Sequence, residues 1–515
     1  MARIERLIGR GLYQQALECL LVENPFPAVC GRVCYHPCEN SCNRAGLDCA
    51  VAINGIERFL GDEALHGRIQ PTVFRFPPRG KKIAVVGAGP AGLSAAYFLS
   101  LLGYGCDVFE SRPEPGGVLR WGIPSYRLPE DVPAWEIRRI QSMGVQIHCN
   151  ASVSADFLED LCRSYSGVFI GAGHGKSLTM NIPGEPFALD GLDFLAGVKQ
   201  GELPDVKGPV WVIGGGNTAV DVARTLARSG LGVTIAYRRT RSDMPAFEQE
   251  IEPAMAEGVR IMELVSPVRI EKQGGSYRLV LQKMKSTGEK VRGRMGAIPD
   301  GTDVFSITAG QVFTAIGAGP ADLWIPPLPG DARQIPLSHC TAVVHEIPLV
   351  YGGDLTNSRK SIPDAVASGK QAAMVLDLLF TEGKHDIPEK LKAFHVGAGP
   401  SLSMEMYIGG ERKERSRRVV SYGDINTDYF PPRPRVLKSS EENTAGEDVA
   451  VDEARRCFNC GICNDCDNCR VFCPEVAVVK EDGSARRIDM DYCKGCGICV
   501  VECPRCAMDL EEEPV

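Results

Sequence analysis

Most of the 21 cysteines in this 515-residue chain crowd into two tracts, and their spacing decides what chemistry they can do. Toward the C-terminus, Cys463-x-x-Cys466-x-x-Cys469-x-x-x-Cys473-Pro474 is followed by Cys493-x-x-Cys496-x-x-Cys499-x-x-x-Cys503-Pro504. Two such runs, each closed by Cys-Pro, have the ligand spacing of a pair of 4Fe-4S clusters in which the fourth cysteine of each run serves the other cluster. One set is therefore Cys463, Cys466, Cys469 and Cys503, and the other is Cys493, Cys496, Cys499 and Cys473. A zinc ribbon would show cysteine pairs with a long separation instead. Thiols this close make poor disulfides, and a reducing compartment keeps them as ligands for soft metals. Cys457, Cys460 and Cys506 are left over, as alternative ligands, part of a further cluster, or idle thiols. Near the N-terminus, Cys30, Cys34, Cys38 and Cys42 follow one another in steps of four.

Glycines carry the second kind of chemistry. Lys82-Ile-Ala-Val-Val-Gly87-Ala-Gly89-Pro90-Ala91-Gly92 runs a buried strand into a G-x-G-x-x-G turn and then a helix expected over Leu93–Leu102. Such a turn lets the backbone approach a pyrophosphate, whose charge is favoured at a helix N-terminus. Glu110, ending the next strand (Cys106–Glu110), lies about 20 residues past the motif, where a carboxylate accepts hydrogen bonds from a ribose. Val210-Trp-Val-Ile-Gly214-Gly-Gly216-Asn217-Thr218-Ala219 repeats the pattern with alanine in the third position. The strand after it, Val233–Tyr237, ends in Arg238 and Arg239 rather than an acid. A guanidinium fork suits the 2'-phosphate of NADP(H), so NADP(H) is favoured, with NAD(H) as the alternative. Gly171-Ala-Gly-His-Gly-Lys-Ser177 is one residue short of a P-loop and reads as a turn beneath the first nucleotide. Cys106, Cys149, Cys162 and Cys340 are isolated and read as core thiols, not as a redox pair.

These motifs need several domains to hold them, and the length allows three or four. A formal charge of −8 offers no basic field for nucleic acid. No run of apolar residues is long enough for a membrane span, and Met1–Leu21 lacks the pattern of a secretory signal, so the cytoplasm is the expected location. An amphipathic helix is expected over Leu7–Leu20 and another near Val51–Leu65, with the cysteine loop between them. Strand, glycine turn and helix follow from Lys82 and again from Val210, and a strand and helix return over Leu349–Phe380. The charged, proline-rich stretch from Thr381 to Asp452 reads as a linker.

The middle of the chain, roughly residues 20–380, resembles the small subunit of bacterial NADPH-dependent glutamate synthase. It is similar too to the large subunit of ferredoxin-dependent transhydrogenase and to the reductase part of dihydropyrimidine dehydrogenase. The matching residues are Gly116-Gly117-Val-Leu119-Arg-Trp-Gly-Ile-Pro124, Gly214-Gly-Gly-Asn-Thr-Ala-Val-Asp221, Tyr237-Arg-Arg-Thr-Arg-Ser-Asp-Met-Pro-Ala246 and Gly352-Gly353-Asp354. The resemblance implies an α/β fold of two nested Rossmann-like domains, the first for FAD and the second for NADP(H), with an N-terminal α-helical iron–sulfur domain and a C-terminal ferredoxin-like α+β domain. The expected boundaries are 1–78 for the helical domain, 79–195 with 320–385 for FAD, 196–319 for NAD(P)H, 386–452 for a linker and 453–515 for the tail. Carried over, Gly116, Gly117 and Leu119 lie along the flavin, Asp354 binds the FAD chain, and the helix from Pro363 points at the isoalloxazine.

The cysteine run at the N-terminus resembles the second half of the family's iron–sulfur domain, and the first half is missing. One cluster on Cys30, Cys34, Cys38 and Cys42 is therefore expected there, making three 4Fe-4S clusters. Glu57, in Ile56-Glu-Arg-Phe59, matches a position where relatives use a side-chain oxygen or amide as ligand and is an alternate. Cys49 is read as a spare thiol and His36 as a loop histidine. A nicotinamide exchanges hydride, a cluster exchanges single electrons and a flavin does both. The chain is thus expected to be an electron-transfer subunit between NADPH and a redox partner, either a partner enzyme subunit or a ferredoxin, within a hetero-oligomeric complex. The alternatives are the glutamate synthase small subunit itself and a non-catalytic relay subunit. No acid–base residue is needed for the hydride step, and none is nominated.

Overall fold

The computed structural model describes residues 1–202, 204–291, 294–320, 340–344, 347–357, 359–383, 387–395, 401–409, 446–458, 467–480, 486–503 and 508. By contact they form two units. The first is Met1–Pro113 with Asp131–Gly171 and Pro327–Val515, and the second is Glu114–Glu130 with Ala172–Pro326. Residues 114–130 and 172–195, assigned above to the FAD domain, group with the second unit.

In the first unit five parallel strands lie in the order Ile347–Tyr351, Gly167–Ile170, Lys82–Val86, Gly105–Phe109, Gln146–His148, and Cys340–Val344 runs antiparallel along the outer edge. Ile83–Val86 is buried along its length because helices cover both faces of a parallel sheet. Lys82–Val86 is the strand from which the order reverses, so its carboxyl end is the switch point where such sheets bind ligands. Helices Pro90–Leu101 and Ile362–Glu382 pack tightly there: a Cβ on Gly369 would lie 2.3 Å from Ala91 O.

The N-terminal residues form helices Ala2–Gly9, Tyr13–Leu21, Pro27–Val33, Pro37–Asn40 and Ile53–Leu65. The single helix expected over Leu7–Leu20 is two, because Gly11 takes φ +73° and turns the chain between them. The stretch read as a linker carries structure as well: helices Ile387–Lys392, Met404–Ile408 and Glu447–Arg455 lie in its described parts. The last of these buries Ala450 and Ala454 against Ile4, Ile8 and Leu17 and completes the N-terminal core. The tail, also within the first unit, has helices Asn468–Val471 and Ile498–Val501 and an antiparallel pair, Val478–Lys480 with Arg486–Ile488. Cys460, Cys463, Cys466 and Cys506 lie outside the described residues.

The second unit is built on a parallel sheet in the order Leu189–Asp190, Gln311–Ala315, Val210–Gly214, Val233–Ala236, Arg260–Met262. Inserted into it is an antiparallel sheet of Val265–Gln273, Ser276–Val291 and Arg294–Ala309, which the glycine motifs gave no reason to expect. Leu279 and Leu281 anchor its base against Trp211 and Val312, while most of the last strand is exposed. Among the described residues no helix is long and apolar enough to cross a membrane.

Candidate functional site

Three loops meet at the carboxyl ends of the central strands of the first sheet. Gly87, with φ +96°, donates its N–H to Phe109 O at 2.8 Å and takes the chain out of the sheet. Gly89 caps helix Pro90–Leu101, and Pro90 sits in its first turn, where a missing N–H costs nothing. A Cβ on Gly92 would lie 1.9 Å from Gly87 O, so close helix–strand packing demands the third glycine. The second loop starts at Gly171, whose N–H donates to Val86 O at 2.9 Å. The third is Gly352–Asp354, in which the Gly353 N–H donates to Ser368 Oγ at 2.9 Å and a Cβ would stand 2.9 Å from Ala91 Cβ. A cradle of bare backbone beside a helix N-terminus fits the pyrophosphate of FAD.

Glu110 is buried beside this cradle. Its Oε2 accepts the Ala88 N–H at 2.8 Å, and its Oε1 accepts from Arg112 N at 2.9 Å and Ser111 Oγ at 3.2 Å. The carboxylate is thereby fixed in orientation with lone pairs left for a ribose. Burial raises the Asp354 carboxyl above its ordinary range, with Lys360 opposing and Asp364 adding to the rise.

The cysteine loop joins the same region. Arg359 donates from Nη1 to the Tyr35 hydroxyl at 2.7 Å and lies over its ring at 4.7 Å; that hydroxyl is 3.4 Å from Asp364 Oδ2 on the first turn of helix Ile362–Glu382. Tyr35 follows Cys34 directly. Sequence reading passed over Tyr35 and Arg359, because 324 residues separate them and neither lies in a motif. A second positioning residue is Glu136, whose buried Oε1 accepts the Ala28 N–H at 2.8 Å at the start of the helix that carries Cys30.

Cys30, Cys34, Cys38 and Glu57 lie close enough to act on one another electrostatically. Burial pushes the Cys34 and Cys38 thiols up to about 12 and raises Cys30 well above its ordinary value, with Glu57 and neighbouring thiols adding to the effect. Burial also lifts Glu57 to about 7, opposed by its hydrogen bond from Asn24 Nδ2 at 2.5 Å. Such thiols ionise when a cationic centre compensates them, which is what binding of iron does. Cys42 packs against the apolar core of the helical domain. Cys49 Sγ accepts from Arg456 Nη2 at 3.2 Å, and the His36 N–H donates to Cys34 Sγ at 3.4 Å.

In the tail, Cys473, Cys493, Cys496 and Cys499 line one cleft, with Gly495 and Gly497 at positive φ between them. These are the four cysteines assigned to one cluster from spacing, and Cys473 reaches the cleft from the other run. Burial raises the Cys499 thiol, and Cys493, Cys496 and Cys473 add to the rise. Of the other set, Cys469 and Cys503 are described and both are buried; Cys463 and Cys466 are outside the described residues.

In the second unit the Gly214 backbone has φ +146°, and a Cβ there would lie 2.2 Å from Ala315 O. Gly216 caps helix Asn217–Arg228, whose first turn holds Thr218 and the fully buried Ala219. The loop after strand Val233–Ala236 folds over this turn: Ala246 N–H donates to Gly215 O at 3.1 Å and Phe247 N–H to Asn217 Oδ1 at 3.0 Å. That loop carries Arg238 and Arg239, with Arg238 exposed. Partial desolvation, then the charges of Arg239 and Arg294, holds Arg238 below the usual guanidinium range. Gly116 and Gly117 have φ +129° and +53° and lead into the turn Val118–Trp121, where Leu119 is buried. Arg127, six residues after that turn begins to close, holds the segment to the nucleotide helix through both oxygens of Asp221 at 2.7 Å.

Two dinucleotide folds coupled to cysteine-ligated cluster modules define an NAD(P)H-dependent flavin and iron–sulfur oxidoreductase. Residues 81–344 match the family model for pyridine nucleotide-disulphide oxidoreductases, residues 4–69 that for dihydropyrimidine dehydrogenase domain II with its 4Fe-4S cluster, and residues 486–505 that for 4Fe-4S binding domains. The chain belongs to the pyridine nucleotide-disulphide oxidoreductase family and is an electron-transfer member of it. It is 33% identical over 492 residues to the NADP(+)-dependent formate dehydrogenase subunit beta of Moorella thermoacetica, covering 88% of this chain and 68% of that one. To the NADPH-Fe(3+) oxidoreductase subunit beta of Geobacter sulfurreducens it is 30% identical over 494 residues, 87% of this chain and 71% of the other. To the NADPH glutamate synthase small chain of Escherichia coli it is 33% identical over 398 residues, covering 72% and 84%. The resemblance drawn from the glycine and arginine motifs is borne out.

Proposed function

We propose that this chain is the subunit that moves electrons between NADPH and a partner enzyme in the cytoplasm, using FAD and three 4Fe-4S clusters. The flavin supplies the exchange between hydride and single electrons that the other groups cannot make. Gly87, Gly89, Pro90, Ala91, Gly92, Glu110, Gly353 and Asp354 hold its dinucleotide part, and Gly116, Gly117 and Leu119 are assigned to its ring. Gly214, Gly216, Asn217, Thr218 and Ala219 take the NADPH pyrophosphate, while Arg238 and Arg239 take the 2'-phosphate. Two clusters belong to the tail. The third belongs to Cys30, Cys34 and Cys38, with Cys42 from spacing and Glu57 from proximity as rivals for the fourth ligand.

The observation that carries this reading is the attachment of the cysteine loop to the first turn of helix Ile362–Glu382 through Arg359, Tyr35 and Asp364. This contact puts the cysteine loop beside the proposed flavin cradle, and short distances between the two are what electron transfer requires. Relatives named as beta subunits and small chains support a hetero-oligomeric complex. Mixing the anaerobic holoprotein with NADPH should bleach the flavin absorbance and then produce the electron paramagnetic resonance of reduced clusters. A flavin band left unchanged would leave only the relay role. Arg238→Ala should weaken NADPH about tenfold or more and leave NADH nearly unaffected, since a charge-assisted phosphate contact is lost; equal losses for both would remove the NADP assignment.

A further inference from the structure

The long hairpin of the second unit returns to the nucleotide loop at its tip. Val291 pairs with Arg294 and Lys290 with Met295 at the end of strands Ser276–Val291 and Arg294–Ala309. Both backbone groups of Met295 are taken by the loop after Val233–Ala236. Its carbonyl accepts from Arg239 Nε at 2.5 Å, and its N–H donates to Asp243 Oδ1 at 3.2 Å. The Arg239 carbonyl is held in turn by the Leu264 N–H at 3.2 Å. Since neighbouring residues of a strand face opposite ways, fastening Met295 to the loop fixes Arg294 beside it, on the exposed face.

Charge distinguishes this corner from the rest of the unit. Arg127, Arg224, Arg228 and Arg241 each have a carboxylate partner within 2.8 Å. Among the described residues Arg238, Arg239, Arg260 and Arg294 have none, and three of these four stand together at this corner. The carboxylate of Asp243 is occupied by the Thr240 hydroxyl at 2.7 Å and by the Met295 N–H. Asp243 lies near enough to Arg239 to act on it as a counter-charge, whereas Arg238 and Arg294 repel one another with no carboxylate partner, and a dianion with several acceptor oxygens relieves that repulsion.

We propose that Arg294 is the third cation of the 2'-phosphate pocket and a specificity-determining residue for NADPH over NADH, delivered by the hairpin. The inference rests on the assignment of Arg238 and Arg239 to that phosphate. A rigid arm that donates one arginine makes specificity depend on a segment more than fifty residues removed from the glycine turn.

The test uses the holoprotein and adenosine 2',5'-bisphosphate, which carries the phosphate without the nicotinamide. Arg294→Ala should raise its dissociation constant and the KM for NADPH about fivefold to tenfold, leave the KM for NADH unchanged, and flatten the salt dependence of binding. Arg294→Lys should restore part of the loss, and the exposed site should leave the melting temperature unaltered. If Arg294→Ala binds the bisphosphate as well as wild type while Arg238→Ala does not, Arg294 has no part in the pocket. If neither substitution changes the ratio of NADPH to NADH, the phosphate assignment itself falls.

Discussion

At the scale of single residues, the most telling group is a carboxyl that no motif marks. Glu5 is wholly buried, neither oxygen has a hydrogen-bond partner, and burial lifts it to about 8. An acid with a folded value above its unfolded one keeps its proton in the native state while the unfolded chain releases it. Stability contributed by the neutral form is therefore complete below the unfolded value and is lost as the pH rises through the folded one. Wild type should lose on the order of 3–4 kcal/mol in urea unfolding between pH 5 and pH 8 from this site, and Glu5→Gln should remove that slope. Spacing proposes where the tail thiols converge; in the fold Cys473, Cys493, Cys496 and Cys499 line one cleft, while among the described residues no three ligand side chains stand close enough to hold a metal ion as they lie. Cys496→Ser should accordingly lower the iron content by about four atoms per chain, one cluster. What spacing could not tell was the neighbourhood of Glu57 or the burial of Glu5, since both depend on helices that meet only in the folded chain.

At the scale of elements, the glycine turns were legible because backbone geometry there admits few residue types. The first nucleotide helix starts at Pro90, three residues before the expected Leu93, because the glycine turn itself forms its first turn, and the second starts at Asn217. The hairpin of Ser276–Val291 and Arg294–Ala309 was not legible, because its exposed strands bury little and so carry no strong alternation. Nor was the helix Glu447–Arg455, whose small apolar face gains meaning only from the core it joins. The segment with Gly116 and Gly117 is held to helix Asn217–Arg228 by a buried ion pair, and Arg127 also contacts Glu250 at 2.8 Å. Removing the guanidinium leaves the buried Asp221 charge uncompensated. Arg127→Ala should cost about 3–5 kcal/mol in unfolding free energy, whereas replacement of the exposed pair Arg163–Glu159 should cost less than about 1 kcal/mol.

At the scale of the whole molecule, cofactor modules and polypeptide order do not coincide. The N-terminal helical core takes in residues next to the tail: Ala52 N–H donates to Glu453 Oε1 at 2.7 Å, and Arg44 Nη1 donates to Arg456 O at 3.1 Å. Truncation after residue 458 should keep NADPH-driven flavin bleaching while abolishing electron delivery to the partner. Truncation after residue 446 should lower the melting temperature as well, by exposing Ile4, Ile8 and Leu17. The order of the motifs along the chain is readable from the sequence, but this exchange between distant segments is not, since no periodicity spans it. The same stitch sets a timetable for biogenesis. Ala52 and Glu453 are 401 positions apart, and at roughly 5–20 residues per second a ribosome needs about 20–80 s to reach the second after making the first. The N-terminal module therefore waits, unfinished, for a helix made about 400 residues later, and its core closes only when that helix arrives.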